Sequence, residues 1–351
     1  MILVTGGAGF IGANFVLDWL AQTSEPLVNV DKLTYAGNRD SLAVLAQDPR
    51  HVFVEGDIAD RALMAEQLRR HRPRAVLHFA AETHVDRSIV GPEAFIESNI
   101  LGTFGLLEAT RAYLDSLDAP AREVFRFLHV STDEVFGSLA PLEAAFTEAH
   151  RYAPNSPYAA SKAASDHLVR AWHRTYGVPV LTTHCSNNYG PYQLQDKLIP
   201  LCIVNALAGK PLPLYGDGLQ VRDWLHVQDH CRALRRVLEA GRVGGTYAIG
   251  GRSERANIEV VRAVCAILDA LRPRPDARAY ADQIVHVADR RGHDRRYAID
   301  PAKLTRELGW RPGRTFEDGL RATVQWYLDH PGWLRGAQPT EATAPPTALT
   351  P

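Results

Sequence analysis

The sequence predicts an α/β fold in which a doubly wound parallel sheet carries a smaller C-terminal α/β domain. Three observations carry that prediction. Short β-branched runs alternate with amphipathic stretches through the first half. The chain opens as strand, glycine turn and helix. After about Asn187 the alternation gives way to loops rich in Gly and Pro. Strand–helix alternation makes successive strands parallel and places helices on both faces of the sheet.

The elements follow in order. Strands are predicted at 2–5, 27–30, 52–55, 75–79, 125–131 and 180–183, each a short run rich in Val, Ile, Leu or Phe. Helical periodicity fills 13–20, 61–71, 93–117 and 158–176 between them. The last of these has a plausible start, because Asn155 or Ser156 can cap it and Pro157 fits the first turn. Beyond 187, helices are predicted near 198–207, 228–240, 258–271 and 315–330, with a strand at 246–250. Residues 1–186 therefore form the expected nucleotide-binding domain, of Rossmann type. Residues 187–335 form mainly the smaller domain, with some segments returning to the first. The stretch 336–351 is mostly Pro, Thr and Ala and is expected to be a disordered tail.

Composition narrows the function. A chain of 351 residues, 46% apolar and 23% charged, is an ordinary globular enzyme in size and make-up. Its net charge of −1 gives no bulk basic field for nucleic acid or an anionic membrane. Anionic ligands must be met by local arginines. No apolar run reaches the roughly 18 residues of a membrane span. Met1-Ile2-Leu3-Val4 starts directly as a strand, so no signal peptide is expected and a cytoplasmic enzyme is. Cys185, Cys202, Cys231 and Cys265 are scattered through apolar segments. They read as reduced core thiols, and no metal site is expected.

The first functional motif is Thr5-Gly6-Gly7-Ala8-Gly9-Phe10-Ile11-Gly12. Gly6, Gly9 and Gly12 let a strand turn tightly into a helix and let a pyrophosphate approach the helix N-terminus. Asp31 ends the next strand, at the spacing of an acid that binds adenosine ribose hydroxyls. An acid there favours NAD over NADP, because a 2′-phosphate would meet like charge. Asp57 follows the third strand and could reach the adenine edge. The bland alternative is a glycine turn in a non-binding α/β domain.

The second motif is Thr132-Asp133-Glu134 at the end of a strand, followed by Tyr158-x-x-x-Lys162. The Tyr–Lys spacing puts a phenol and an ammonium one turn apart on one helix face. The ammonium is expected to lower the phenol's pKa, so that tyrosine can take a proton from a hydroxyl. Lys162 is one of only five lysines among mostly arginine, which favours a need for a compact charge. Asp133 and Glu134 add a second acid/base function that simple alcohol oxidation does not need. Taken alone, they could equally cap the following turn.

Together with Val30–Asn38, Ala80–Ser88, Ser186–Tyr192, Gly218–Trp224 and the region 289–300, these motifs make the chain resemble the extended short-chain dehydrogenase/reductase family. Within it, the chain resembles the dTDP-glucose 4,6-dehydratase branch, over residues 1 to about 330. Related epimerases typically carry a small hydroxyl residue where the two acids stand here. The resemblance implies that Tyr158, assisted by Lys162, takes the C4 hydroxyl proton as hydride passes to NAD, with Thr132 bonded to the same oxygen. It implies that Glu134 removes the C5 proton and that a protonated Asp133 delivers a proton to the departing C6 hydroxyl. Hydride then returns to C6.

The same resemblance implies NAD contacts at Gly6, Gly9, Phe10, Ile11, Gly12, Asp31, Lys32, Leu33, Thr34, Asp57, Ile58, Ala80, Ala81, Ser98, Tyr158, Lys162 and Asn188. It implies nucleotide-sugar contacts at Thr83, Thr132, Asn187, Lys197, Leu198, Pro213, Tyr215, Arg222, Asn257 and Asp289, Arg290 and His293. Taken alone, Arg222 would read as a surface arginine, and His84 and His293 as structural. Departures from the family pattern are Thr83 for serine, Gln193-Leu194-Gln195-Asp196 for His-Phe-Pro-Glu, Arg291 for proline, and a short 137–152 segment. A homodimer is implied, with 99–117 and 158–176 as a plausible interface. Rival readings are a nucleotide-sugar epimerase or decarboxylase, a dehydratase of another nucleotide's hexose, and a non-catalytic NAD-binding protein.

Overall fold

The computed structural model describes residues 1–335, so the expected tail 336–351 lies outside the described residues. The chain opens with β1 (Ile2–Thr5), α1 (Phe10–Gln22), β2 (Leu27–Asp31), β3 (His51–Glu55), α2 (Arg61–His71) and β4 (Ala75–His78). Short helices α3 (Val85–Val90) and α4 (Glu93–Phe95) lead through a π-helical segment, Ile96–Gly102, into α5 (Thr103–Asp115). Then come α6 (Ala119–Val124), β5 (Arg126–Thr132), α7 (Pro157–Tyr176), β6 (Val180–Cys185) and β7 (Asn187–Tyr189). The remainder contains α8 (Leu198–Leu207), β8 (Leu212–Tyr215), β9 (Val221–His226), α9 (Val227–Ala240), β10 (Thr246–Ile249), β11 (Glu254–Ala256) and α10 (Asn257–Leu271). It closes with β12 (Ile284–Val287), α11 (Ala302–Leu308), α12 (Phe316–Asp329) and α13 (Pro331–Arg335).

Seven strands form one sheet in the order β10-β6-β5-β4-β1-β2-β3, and every adjacent pair is parallel. β1 is central: Ile2 pairs with Leu27 on one side and Ala75 on the other. Both its faces are covered, which is why its four residues are all apolar or buried. α2, α5 and α7 pack side by side on one face, and α1 and α9 on the other. Strand order reverses beside β1, so a ligand crevice is expected outside the carboxyl ends of β1 and β4.

The start of α7 follows its sequence signals. Ser156 Oγ accepts from the Ala159 N–H at 3.1 Å, Pro157 takes the first turn, and Gly177 ends the helix at φ 71°. One element differs from expectation. The stretch predicted as one helix, 93–117, widens into π geometry at Ile96–Gly102. There the Asn99 carbonyl accepts from Ser165 Oγ at 2.6 Å, and the Asn99 side chain bonds both backbone groups of Glu82 and the Ser161 hydroxyl. The bond from Ser165 to the Asn99 carbonyl comes from outside the helix and accompanies the widened turn, and periodicity cannot show it.

The strand predicted at 246–250 forms as β10. β10 pairs with β6 and forms the edge of the main sheet, and α9 packs on α1. The segment after β7 thus crosses back before the smaller unit is complete. That unit is built from α8, α10 and α12 around Ile203, Val264, Leu268 and Val324, with two small sheets, β11-β9-β7 and β12-β8. All four cysteines are free and buried.

Candidate active site

The crevice at the carboxyl edge of the sheet is lined by the glycine turn, the ends of β2, β4 and β5, the start of α7 and the 186–197 loop. Its first part is made by backbone. A Cβ on Gly6 would lie 2.5 Å from the Ala80 nitrogen, and one on Gly12 would lie 2.2 Å from the Gly6 oxygen. Only glycine permits this close approach. Gly9 caps α1 without a side-chain bond, so the N–H groups of the first turn face the crevice and suit a pyrophosphate. Asp31 accepts from the Ala8 and Leu33 N–H groups, both at 2.8 Å. Each carboxylate oxygen keeps a lone pair for a ribose hydroxyl. Asp57 is engaged by Lys32 at 2.6 Å. This cradle fits a dinucleotide of the NAD type.

The reacting groups stand deeper. β5 ends at Thr132, whose hydroxyl accepts from the Glu134 N–H at 3.3 Å and lies 3.4 Å from Asp133 Oδ1. Asp133 is buried, and its Oδ2 has no hydrogen-bond partner. Burial, then the negative charges of Glu134 and Asp223, push its pKa well above the ordinary carboxyl range. Glu134 is also raised by burial, but Arg290, Arg222 and Lys197 pull it back. The two acids are therefore unlike: Asp133 is kept as a proton donor, and Glu134 has the cations that favour its base form.

Tyr158 differs from expectation. Burial and the charge of Glu134 raise its phenol well above the usual value, and the Thr132 hydroxyl bonded to it draws it back. Lys162 Nζ donates to the Val130 carbonyl at 2.9 Å instead of touching the phenol. Its effect on Tyr158 is thus not one of direct contact.

Beyond the acids lies a second group of side chains. Arg222 is buried rather than superficial, because β9 carries it inward. Its guanidinium stacks over the Tyr297 ring at 4.2 Å and donates to the Asp294 carbonyl at 3.0 Å. His293 bonds Asp289 at 2.6 Å and meets the Tyr215 ring edge-on, while Arg290 pairs with Asp86 at 3.5 Å. Lys197 Nζ reaches the Thr83 carbonyl at 3.4 Å.

All expected NAD residues line the crevice except Leu33, whose backbone instead holds Asp31. Thr83, Thr132, Asn187 and Lys197 line it too, whereas Tyr215, Arg222, Asp289, Arg290 and His293 cluster beyond Glu134. Pro213 lies on β8 and Asn257 at the start of α10 beside Gln220, to which its N–H donates at 3.0 Å. Leu198 packs against the second core. Sequence reasoning did not pick out Tyr35, whose ring carries the Arg87 guanidinium at 3.7 Å, or Tyr297 under Arg222. Both come from distant segments and carry no local signal. His84 faces Asp196 at 3.5 Å, joining a histidine read as structural to the departing loop.

A family model described as GDP-mannose 4,6 dehydratase matches residues 3–323. The dTDP-glucose 4,6-dehydratase of Xanthomonas campestris pv. campestris (strain B100) is 62% identical over 334 residues, covering 95% of each chain. That of Neisseria meningitidis serogroup B is 58% identical, covering 95% of this chain and 94% of its own. Among solved structures, the Streptomyces venezuelae dTDP-glucose 4,6-dehydratase with NAD and TYD bound superposes with a TM-score of 0.86 at 49% identity, covering 95% of this chain and 98% of its own. The UDP-glucose 4-epimerase of Thermotoga maritima gives 0.81 at 28% identity, covering 93% and 98%.

Proposed function

The chain belongs to the nucleotide-sugar 4,6-dehydratases of the extended short-chain dehydrogenase/reductase family, and from that premise we propose that it converts dTDP-glucose to dTDP-4-keto-6-deoxyglucose and water. One observation carries the reading: Asp133 and Glu134 share a crevice with Thr132, Tyr158 and Lys162. Tyrosine and lysine suffice for oxidation at C4. Eliminating water across C5 and C6 also needs one group to take a proton and another to give one.

NAD, when bound, supplies a hydride acceptor at C4 and a donor for C6. Tyr158, in its phenolate form, takes the C4 hydroxyl proton, and Thr132 steadies the same oxygen. The resulting 4-keto group acidifies C5, Glu134 removes that proton, and Asp133 gives its own to the departing C6 hydroxyl. Glu134 then restores the proton at C5. One turn leaves a proton on Tyr158 and a deficit on Asp133. The Thr132 hydroxyl, bonded to the phenol and 3.4 Å from Asp133, links the two.

Residues 1–186 hold the cofactor and most of the chemistry, while 187–335 mainly hold the nucleotide sugar. Arg222, Arg290 and Lys197 form the positive face that a diphosphate needs. A homodimer is supported by the exposed apolar side chains Ile96, Leu101 and Tyr176 on the π segment and α7. The free buried cysteines suit a reducing compartment such as the cytoplasm. No described helix is long and apolar enough to cross a membrane.

Mass spectrometry of dTDP-glucose incubated with the purified enzyme, without added reductant, tests the activity. Loss of one water without accumulating free NADH is expected. An unchanged mass with formation of the galactose isomer would instead make the enzyme an epimerase.

A further inference from the structure

Beneath the reacting groups lies a buried carboxylate that the mechanism above does not use. Asp166 stands one turn beyond Lys162 on the inner side of α7 and is almost wholly buried. Its Oδ1 accepts from His129 Nε2 at 2.9 Å. Its Oδ2 accepts from Ser131 Oγ at 2.9 Å, His184 Nε2 at 2.9 Å and Tyr152 OH at 3.1 Å. Both imidazoles must carry their protons on Nε2 to serve a carboxylate. Their Nδ1 atoms are buried without a partner, and burial and the Lys162 charge keep the His129 ring neutral. The Asp166 carboxylate is therefore fixed by four donors from β5, β6 and the 137–156 loop.

Lys162 is equally buried and has a single backbone acceptor, the Val130 carbonyl. Among the described residues, no carboxylate lies within ion-pair distance of it. The titratable groups around it are Tyr158 and Asp166 on its own helix, His129 on β5, His78 on β4 and Cys185 on β6. Asp133 and Glu134 lie on the turn after β5 that α7 also contacts. Both histidines are held neutral by burial, and the Cys185 thiol is pushed up to about 12. Asp133 is kept as an acid. Asp166 is thus the fixed negative charge on the buried side of Lys162.

We propose that Asp166 is a positioning residue for the proton transfer at C4: pinned between β5 and β6, it supplies the counter-charge that keeps the buried Lys162 ammonium charged and in place. The proposal rests on the reading of Tyr158 and Lys162 as the oxidation pair, but its test reads the lysine directly. Removing a unit charge one helical turn away, in a medium of effective dielectric near 20, moves a pKa by at least about one unit.

The chain's five lysines make this measurable. Full-length enzyme labelled with 13C,15N-lysine gives five side-chain signals, assignable with single Lys→Arg variants. Asp166→Asn is expected to lower the Lys162 titration midpoint by about one pH unit or more, leave the other four unmoved, and shift the alkaline limb of kcat/KM to lower pH by the same amount. Asp166→Glu should largely restore both. A folded Asp166→Asn protein whose Lys162 titrates as in wild type overturns the proposal. If Asp166→Asn does not fold, the double variant Lys162→Met/Asp166→Asn is made. Recovery of folding supports charge balance, and persistent misfolding makes Asp166 a purely structural clamp and refutes it. Wild-type enzyme that leaves dTDP-glucose unchanged would sink the functional reading without touching the lysine result.

Discussion

Replacing Asp133 by Asn keeps the side chain's size and polarity and removes its transferable proton. The structure sets the scale of the loss. Asp133 is held in its acid form by burial and by the charges of Glu134 and Asp223, and its free oxygen has no other partner. The adjacent acid, Glu134, is surrounded by Arg290, Arg222 and Lys197 and is a poor substitute donor, and the Asp223 carboxylate is engaged by the Gly251 and Ser253 N–H groups. General-acid catalysis contributes about 10²–10⁴-fold. With no replacement at hand, the upper part of that range applies, roughly 10³–10⁴-fold, or about 4–5 kcal/mol of barrier. C4 oxidation should survive, because Tyr158, Thr132 and Lys162 are untouched. In single turnover the variant should therefore show reduced nicotinamide that decays slowly, followed by little dehydrated product. Tyr158→Phe, the control, should show neither signal.

Stability gives a second, independent readout. The folded-state pKa of Asp133 is raised above its unfolded value, so its contribution is complete below the unfolded pKa and is lost as pH rises toward the folded one. Asn cannot ionise. The variant should thus gain thermal stability relative to wild type between about pH 4 and neutrality. Near-normal dehydration by a folded Asp133→Asn enzyme would refute the assignment of the acid.

Other perturbations test the cradle and the assembly. Gly12→Ala places a methyl 2.2 Å from the Gly6 oxygen, and the turn must open. NAD content after purification should drop at least tenfold, with melting temperature lowered by several degrees, as for a strain of about 1–3 kcal/mol. The exposed Ile96 and Leu101 should lie in the dimer contact, and their double replacement by Glu should give monomers in sedimentation velocity while wild type sediments as a dimer.

Much of the fold was legible because its signals are local. Apolar runs for strands, the glycine turn, and Ser156-Pro157 at the start of α7 depend on neighbouring residues. The Tyr158–Lys162 spacing is local too, and the Thr-Asp-Glu block needed only a strand end to give it meaning. What stayed hidden depends on chain segments far apart. Arg222 read as a surface residue because nothing near it announces that Tyr297 will shield its face. The partner of β10 was not legible, because a strand's sequence does not name the strand it pairs with. The contact between Lys162 and the Val130 carbonyl requires the packing of α7 against β5. Nothing local marks Asp166, since its donors come from residues 129, 131, 152 and 184.

The π segment at Ile96–Gly102 bears on how this site tolerates insertions and deletions. A π turn holds more residues than an α turn, and each residue of an α-helix rotates the chain by about 100°. Deleting one residue there would let the helix relax to ordinary geometry while turning α4 and everything before it relative to α5. Ser98 would swing out of the crevice, and Asn99 would release Glu82, Ser161 and Ser165 together. A single-codon loss in an otherwise unremarkable helix would then detach one wall of the crevice from the helix that carries Tyr158. Length in this segment is constrained even where residue identity is not.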